Sequence, residues 1–378
     1  MFFDHKVMAL ATRVLANFCH CALQFDEDCC FWKEGSGQEV LQLMVSPTQF
    51  SAPPIIRLAH PLAFSAFLKH IVAPTERLLR SQRLPALCDD PDAFVPLKNA
   101  WAFFDATAQS EDPMLGWHVG RFVGDHNLNS GFLQKLETAP TLYQALKRLI
   151  RMISAEASHL QLGILERRDD ILFYTHYSTM KDVEGYTSSQ AYQLEVYLDL
   201  VRHFVGKEWV PREIGIEYPE VPTVVEEHFP GSRILTSQRV GYIAVPRTCL
   251  HMAARHGKPG VIGDSRLLLT ADFSYAETLG MLLVPHLPEG YPTARLAATL
   301  MDTSVRTLAR RLADAGVSYR AVVDDLRFNK ARELLRDTSA PVGDIAGAVG
   351  FEDPAHFTRM FRRIAGLSPK QFRQAIRT

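Results

Sequence analysis

The stretch that most constrains this chain lies near its end, from Ile345 to Arg373 (IAGAVGFEDPAHFTRMFRRIAGLSPKQFR). It reads as a short helix, a tight turn, a second helix and a third short helix. Ile345, Ala346 and Val349 share one side of the first helix. Gly350 follows, where a turn needs a residue free of Cβ strain. Asp353 offers an N-cap acceptor and Pro354 occupies the first helical position. Phe357, Phe361 and Ile364 recur at i, i+4, i+7, which predicts one buried face. Ala355, Arg359 and Arg362 fall on the opposite face, flanked by His356, Thr358 and Arg363. An apolar back and an Arg/Thr/His front, held by a short preceding helix, make the build of a DNA recognition helix. The alternative is a surface helix with solvated charges.

The same logic occurs once before, from Thr293 to Leu312. Leu296, Ala297 and Leu300 mark a short helix, and Asp302 stands where Gly350 stands in the later unit. Asp is among the few residues besides Gly that tolerate a left-handed turn. Ser304 is a good N-cap for VRTLARRLADAG, and Gly316 stops that helix. Val305, Leu308 and Leu312 form its expected buried face, with Arg306, Thr307 and Arg310 opposite. A solvated ion pair of Arg310 with Asp314 at i, i+4 is the plain alternative for that arginine. Between the units, Tyr319, Val323, Leu326 and Leu334 share a stripe, which predicts a connecting helix of about five turns. A rigid helix between two recognition helices fixes their separation, and about 34 Å places them in successive major-groove faces on one side of DNA.

Charge follows this division. From Tyr291 to Thr378 there are 15 Lys and Arg against 9 Asp and Glu, while the preceding residues carry 26 against 33. A basic end on an acidic body suits one module that meets phosphates and one that does not. Cys19, Cys21, Cys29, Cys30, Cys88 and Cys249 contain no CxxC pair and no completing His spacing, so no metal and no cofactor are expected. No apolar run reaches the ~18 residues of a membrane span. The N-terminus, interrupted by Arg13, shows no clean cleavage site. A cytoplasmic protein without a membrane partner is the expectation, associated with the nucleoid when bound to DNA.

Residues 1–54 read as an N-terminal extension, with the functional chain possible from Met44. Residues 55–256 read as one domain of long helices with a small, mostly antiparallel sheet. Helical patterns cover Pro61–Arg80, Leu97–Gln109, the stretch after Thr141, and Tyr186–Phe204. LQLGIL and ILFYTH around ERRDD predict a hairpin, and Ile214–Ile216 and Arg239–Val245 predict two more strands. No GxSxG, Walker loop or HExxH is present, and the histidines are scattered. Residues 257–272 read as a linker, and residues 273–378 as the DNA-binding domain, with units at 293–315 and 341–365.

The C-terminal residues carry a resemblance. Ala298, Ser304-Val305-Arg306-Thr307-Leu308-Ala309-Arg310-Arg311-Leu312, Gly316, Arg327, Ala331 and Leu334 match the first unit and connecting helix of the AraC/XylS family of bacterial transcription regulators. Ile345-Ala346, Gly350-Phe351, Phe357, Arg359, Phe361 and Gly366-Leu367-Ser368-Pro369 match the second unit. Asp302 and Met301 depart mildly, where many members have Gly and Leu. Upstream, Leu115-Gly116, Ala139-Pro140-Thr141-Leu142, Ala145-Leu146 and Trp209-Val210-Pro211 are similar to the N-terminal domain of the subgroup that includes ornithine-utilisation regulators. The short β-rich pattern of the sugar-binding cupin barrel of the founding arabinose regulator is absent.

The resemblance implies an α+β N-terminal regulatory domain, for effector binding or dimerisation, joined to an all-α domain with two helix-turn-helix units. It implies a non-enzymatic transcription regulator with double-stranded DNA, RNA polymerase and a small-molecule effector as partners, and a homodimer as an option. By family position Arg306 and Arg310 read bases or position the first helix, with Thr307 beside them. Ala355, His356 and Arg359 do so in the second, with Arg362 on the same face. Thr303, Ser304 and Thr358 are the expected hydroxyl donors to the DNA backbone. A sensor acting through a protein partner, or a ligand-processing enzyme with an appended DNA-binding module, are the other readings. The sequence leaves the effector, its pocket and the sign of regulation open.

Overall fold

The computed structural model describes residues 52–71, 75–85, 90, 92–108, 112, 114–126, 136, 138–178, 184–254 and 273–376. The N-terminal extension up to Ser51, a start at Met44, all the cysteines except Cys249, and the 257–272 linker lie outside the described residues.

The N-terminal half is built from apolar runs that need two layers to bury them. In chain order it contains β1 (Ile55–Arg57), α1 (Ala59–His70), α2 (Glu76–Ser81), β2 (Phe94–Pro96), α3 (Leu97–Ala108), α4 (Leu115–His126) and α5 (Leu142–Met152). β3 (Leu160–Glu166), β4 (Asp170–Tyr177), α6 (Tyr186–Val205), β5 (Glu213–Gly215), α7 (Thr223–His228), β6 (Arg233–Leu235) and β7 (Gly241–Pro246) follow. The main sheet has the order β3-β4-β7-β5-β6. All of its pairs are antiparallel except β5–β6. β1 and β2 form a separate antiparallel ribbon. The predicted hairpin is β3–β4, with Leu160 opposite Tyr177 and Glu166 opposite Ile171.

α6 runs through the centre of this half, and α4 lies along it. Gly116 and Gly120 recur at helical spacing on α4, and a methyl at either would run into Ser188, Ala191 or Glu195 of α6. The missing side chains let the two backbones approach. Trp101, Phe103, Phe104, Trp117, Phe173 and Phe204, each at most 1% exposed, fill the surrounding core. Thr141 caps α5 by accepting the Gln144 N–H.

Three expectations are corrected. The pattern from Pro61 to Arg80 is two helices, not one: α1 stops at His70, and Ile71 after it is 54% exposed. The pattern from Tyr186 runs one residue past Phe204, to Val205, where Gly206, at φ 129°, ends α6. β6 was not expected; its three residues are too few to show a period, and its parallel place beside β5 comes from a chain reversal through α7.

Two titratable groups, the buried Glu213 and the half-buried His228, make this half sensitive to acid. Burial raises the Glu213 carboxyl, yet hydrogen bonds from Arg233, Tyr242 and Arg167 outweigh it and hold the group below the usual carboxylate range. Burial, then the charges of Arg121, His118 and Arg202, lower His228 from 6.5 to about 4. Between those values the unfolded chain binds the His228 proton and the folded chain does not, so stability falls as pH drops from 6.5 to about 4. The Glu213 contribution, present above the unfolded carboxylate value, is lost at lower pH still. Urea midpoints are expected to decline already between pH 7 and 5, and His228→Gln is expected to flatten that upper part of the profile.

The C-terminal half is helical: α8 (Tyr275–Leu283), a 3-10 turn (Val284–Glu289), α9 (Ala294–Leu300), α10 (Val305–Asp314), α11 (Tyr319–Asp337), α12 (Val342–Ala348), α13 (Pro354–Ala365) and α14 (Pro369–Ala375). Hydroxyl caps start most of them: Ser274 with Glu277 and Ser368 with Gln371 are full capping boxes, and Thr293, Ser304 and Ser318 cap singly. Two cores result. One gathers α8, α9, α10 and Val323 of α11; the other gathers Ala331 and Leu335 of α11 with α12 and α13.

Candidate DNA-binding surface and regulatory cavity

α9 and α10 form the first helix-turn-helix unit, and α12 and α13 the second. In the first, Asp302 takes φ 45°, the left-handed turn expected of it. In the second, Gly350 takes φ 79°. A methyl at Gly350 would overlap the carbonyl oxygens of Leu287 and Gly290. Arg327 completes that corner. It is 4% exposed on α11, donates from Nη2 to the Gly350 carbonyl, and lies 4.0 Å over the Phe351 ring and 5.0 Å from that of Tyr291. Burial lowers its pKa, against the opposing pull of Tyr291 and Asp324. One cation thus fastens the connecting helix to the second turn.

Leu308 and Leu312 are buried beneath α10, and Phe357, Met360 and Phe361 beneath α13. Val305 and Ile364, assigned to these faces from their spacing, are 46% and 41% exposed. Each sits in a terminal turn, where burial depends on what stands opposite. Periodicity within one helix does not encode that. Met360 was missed for the converse reason: it lies at the edge of the stripe and has a neighbour to cover it.

Arg306 and Arg310 on α10 and Arg359 and Arg362 on α13 are exposed. Among the described residues none of the four enters an ion pair, so the solvated Arg310–Asp314 pair does not form. The neighbouring arginines are engaged. Arg363 pairs with Asp324 of α11 at 2.6 Å, and Arg311 lies 5.2 Å from the Tyr275 ring centroid. The fold therefore separates arginines that brace it from arginines held out to solvent.

Ala355 and His356 are exposed in the first turn of α13, and His356 Nε2 stands 3.7 Å from Asp353. The hydroxyls are less available than expected. Ser304 accepts the Thr307 N–H and donates its own hydrogen to Thr307 Oγ1, and Thr358 donates to the Pro354 carbonyl. In the structure without DNA these two hydroxyls thus cap α10 and bond within α13. Thr303 and Thr307 are partly exposed beside them.

The N-terminal half contains a cavity of about 890 Å³. Its wall is made by the end of α3 (Asp105, Ala108), the start of α6 (Gly185 to Ser188) and the segment from Glu217 to Val225. Glu217 accepts hydrogen bonds from the Tyr186 hydroxyl at 2.6 Å and from Gln190 Nε2 at 3.1 Å. Burial, together with the Glu217 charge, holds Tyr186 protonated far above the ordinary phenol range. Sequence reasoning could not find this site, because residues 105, 186 and 217 meet only after folding and carry no local motif.

Two family models match. One, described as a helix-turn-helix domain, covers residues 297–375; the other, described as the arabinose-binding domain of AraC transcription regulator, N-terminal, covers residues 73–253. Among the described residues the main sheet in that second region is open, with β3 and β6 as its edges. VqsM of Pseudomonas aeruginosa, a helix-turn-helix-type transcriptional regulator, is 37% identical over 94 residues, which is 25% of this chain and 29% of its own length. The ornithine utilization regulator of the same species is 38% identical over 88 residues, 23% of this chain and 26% of its own length. The chain thus spans less than a third of either protein. A helix-turn-helix-type transcriptional regulator of Mycobacterium tuberculosis is 25% identical over 341 residues, 85% of this chain and 98% of its own length. No described helix is long and apolar enough to cross a membrane. With its two-unit helical half and its α/β half each matched to a domain of the same regulators, the chain belongs to the AraC family of helix-turn-helix transcription regulators.

Proposed function

We propose that this chain is a cytoplasmic, sequence-specific regulator of transcription that binds double-stranded DNA through α10 and α13 and is controlled by a small molecule held in the N-terminal half. The observation that carries this reading is the set of four exposed arginines, Arg306, Arg310, Arg359 and Arg362, on two helices whose opposite faces are buried. Arg310 and Arg359 are assigned to base edges, where a guanidinium meets guanine O6 and N7 with two hydrogen bonds. Arg306 and Arg362 are assigned to phosphates, and His356, Thr307 and Thr303 to contacts beside them. Ala355 and the exposed Val305 present apolar surface of the kind that meets a thymine methyl group. The effector is assigned to the 890 Å³ cavity, a volume typical of small-molecule sites. Its described lining includes Asp105, Asp112, Glu184, Glu217 and Glu220, a wall that opposes an anion. RNA polymerase is the expected partner at the promoter, with a second copy of the chain as a further one.

Genome-wide capture of DNA with the full chain tests the reading. The expected result is a shared motif of two half-elements about one helical turn apart, bound with an affinity that falls steeply with salt. A folded protein that enriches no motif, with or without small-molecule extract of its host, overturns it in favour of a sensor that works through a protein partner.

A further inference from the structure

The two halves of the chain share a core, and the element they share also reaches the cavity. In the β1–β2 ribbon successive side chains point to opposite faces. Ile56 and Val95 face the N-terminal core, whereas Ile55 and Phe94 enter the core of the first helix-turn-helix unit. There they lie with Tyr275, Leu279 and Ala298, and Ile55 is fully buried. The ribbon is tied firmly to the N-terminal half. Ile55 N–H donates to Ser158 Oγ at 2.9 Å, and Ser158 N–H returns a bond to the Ile55 carbonyl at 2.9 Å. Arg57 donates from Nε to the Ala155 carbonyl at 2.7 Å and lies 4.8 Å over the Phe94 ring.

β2 runs without a break into α3. In the first turn of α3, Lys98 reaches both carboxylate oxygens of Asp302 at 3.3 Å, the turn residue two places before the cap of α10. In its last turn, Asp105 and Ala108 line the cavity. Midway, the Trp101 indole N–H donates to Ser189 Oγ at 3.0 Å, and the Trp101 carbonyl lies against Gly185 in the cavity wall. A helix of this length spans about 18 Å. One continuous segment, Phe94 to Ala108, therefore has one end in the core of the first unit and the other in the cavity wall. Among the described residues, the core of the second unit draws on none before Phe328, although the Gly350 turn also packs on the Leu287 and Gly290 carbonyls.

We propose that the β2–α3 segment is a lever that couples occupancy of the cavity to the first recognition helix, so that the regulatory signal enters through the first helix-turn-helix unit. A shift of α3 that accommodates a ligand moves Phe94 within the first core and Lys98 against the Asp302 turn, re-aiming α10. The second unit follows through α11 and through the 3-10 turn on which Gly350 packs. This rests on the DNA-binding reading above. It predicts a reciprocal effect, because coupling between two sites acts equally in both directions.

The test uses amide hydrogen exchange of the full chain with the captured operator duplex as the probe, so the effector need not be known. Duplex binding is expected to slow exchange at residues 105–108 and 184–188 by roughly fivefold or more, the low end of usual site-to-site coupling. Phe94→Ala is expected to abolish that slowing while the duplex still binds through the second unit. If Phe94→Ala does not fold, Phe94→Leu and the surface variant Lys98→Glu replace it, with Lys98→Glu/Asp302→Lys expected to restore what Lys98→Glu loses. A duplex that binds without slowing these amides overturns the lever, and so does slowing that persists undiminished in the variants. Failure to find any operator overturns the DNA-binding reading instead, so the two failures are distinct.

Discussion

Gly350→Ala is expected to destabilise the protein by about 3 kcal/mol or more, read as a drop in the urea midpoint and a loss of tight operator binding. Two costs combine. The left-handed backbone at φ 79° penalises any Cβ by about 1–2 kcal/mol. The new methyl also has no room, since the Leu287 and Gly290 carbonyls and the Arg327 guanidinium surround the site. Relief requires the second unit to move off the 3-10 turn, which breaks the Arg327–Gly350 hydrogen bond and the stacking on Phe351. Asp302→Gly is the matched control, because φ 45° is open to Asp only at some cost. That variant is expected to change stability by no more than about 1 kcal/mol. An unchanged midpoint for Gly350→Ala would sink the account of this corner. A Gly350→Ala/Arg327→Met double variant is expected to lose less than the sum of the singles, since both break one contact set.

Arg310→Ala and Arg359→Ala should each cost about 1–3 kcal/mol of operator binding, or roughly 5- to 150-fold in Kd, and relax base preference at one position. Because neither side chain is in an ion pair, the unfolding free energy should change by no more than about 0.5 kcal/mol. The paired variant tests whether the helices act together. A rigid α11 makes both contacts available at once, so the double loss should approach the sum of the singles. Arg363→Ala is the contrast. Its guanidinium pairs with Asp324 at 2.6 Å, so it should weaken folding and leave base preference intact. Equal loss on every DNA sequence, with the salt slope lowered by about one, would reassign Arg310 to a phosphate.

Much of the helical half was legible in advance because its signals are local. An N-cap Ser accepting the N–H three residues on, a Gly in a left-handed turn and a stripe at i, i+4 are each set within one or two turns of chain. The resemblance rests on the same short motifs. The failures fall where local pattern stops. Val305 and Ile364 have the spacing of buried residues but stand in terminal turns, where nothing opposite covers them.

Amino-acid order alone determined the two recognition helices, their turns, the helix that joins them and the alternation of long helices with a mostly antiparallel sheet. Each of these follows from hydrogen bonding and apolar spacing between residues a few positions apart. Folding decided which arginines brace the structure and which face solvent, where the cavity lies, and that Ile55 and Phe94 complete the core of a unit more than 180 residues away. Such facts depend on which surface each side chain meets, and a contact between distant segments has no period or spacing by which it can be read before the chain closes on itself.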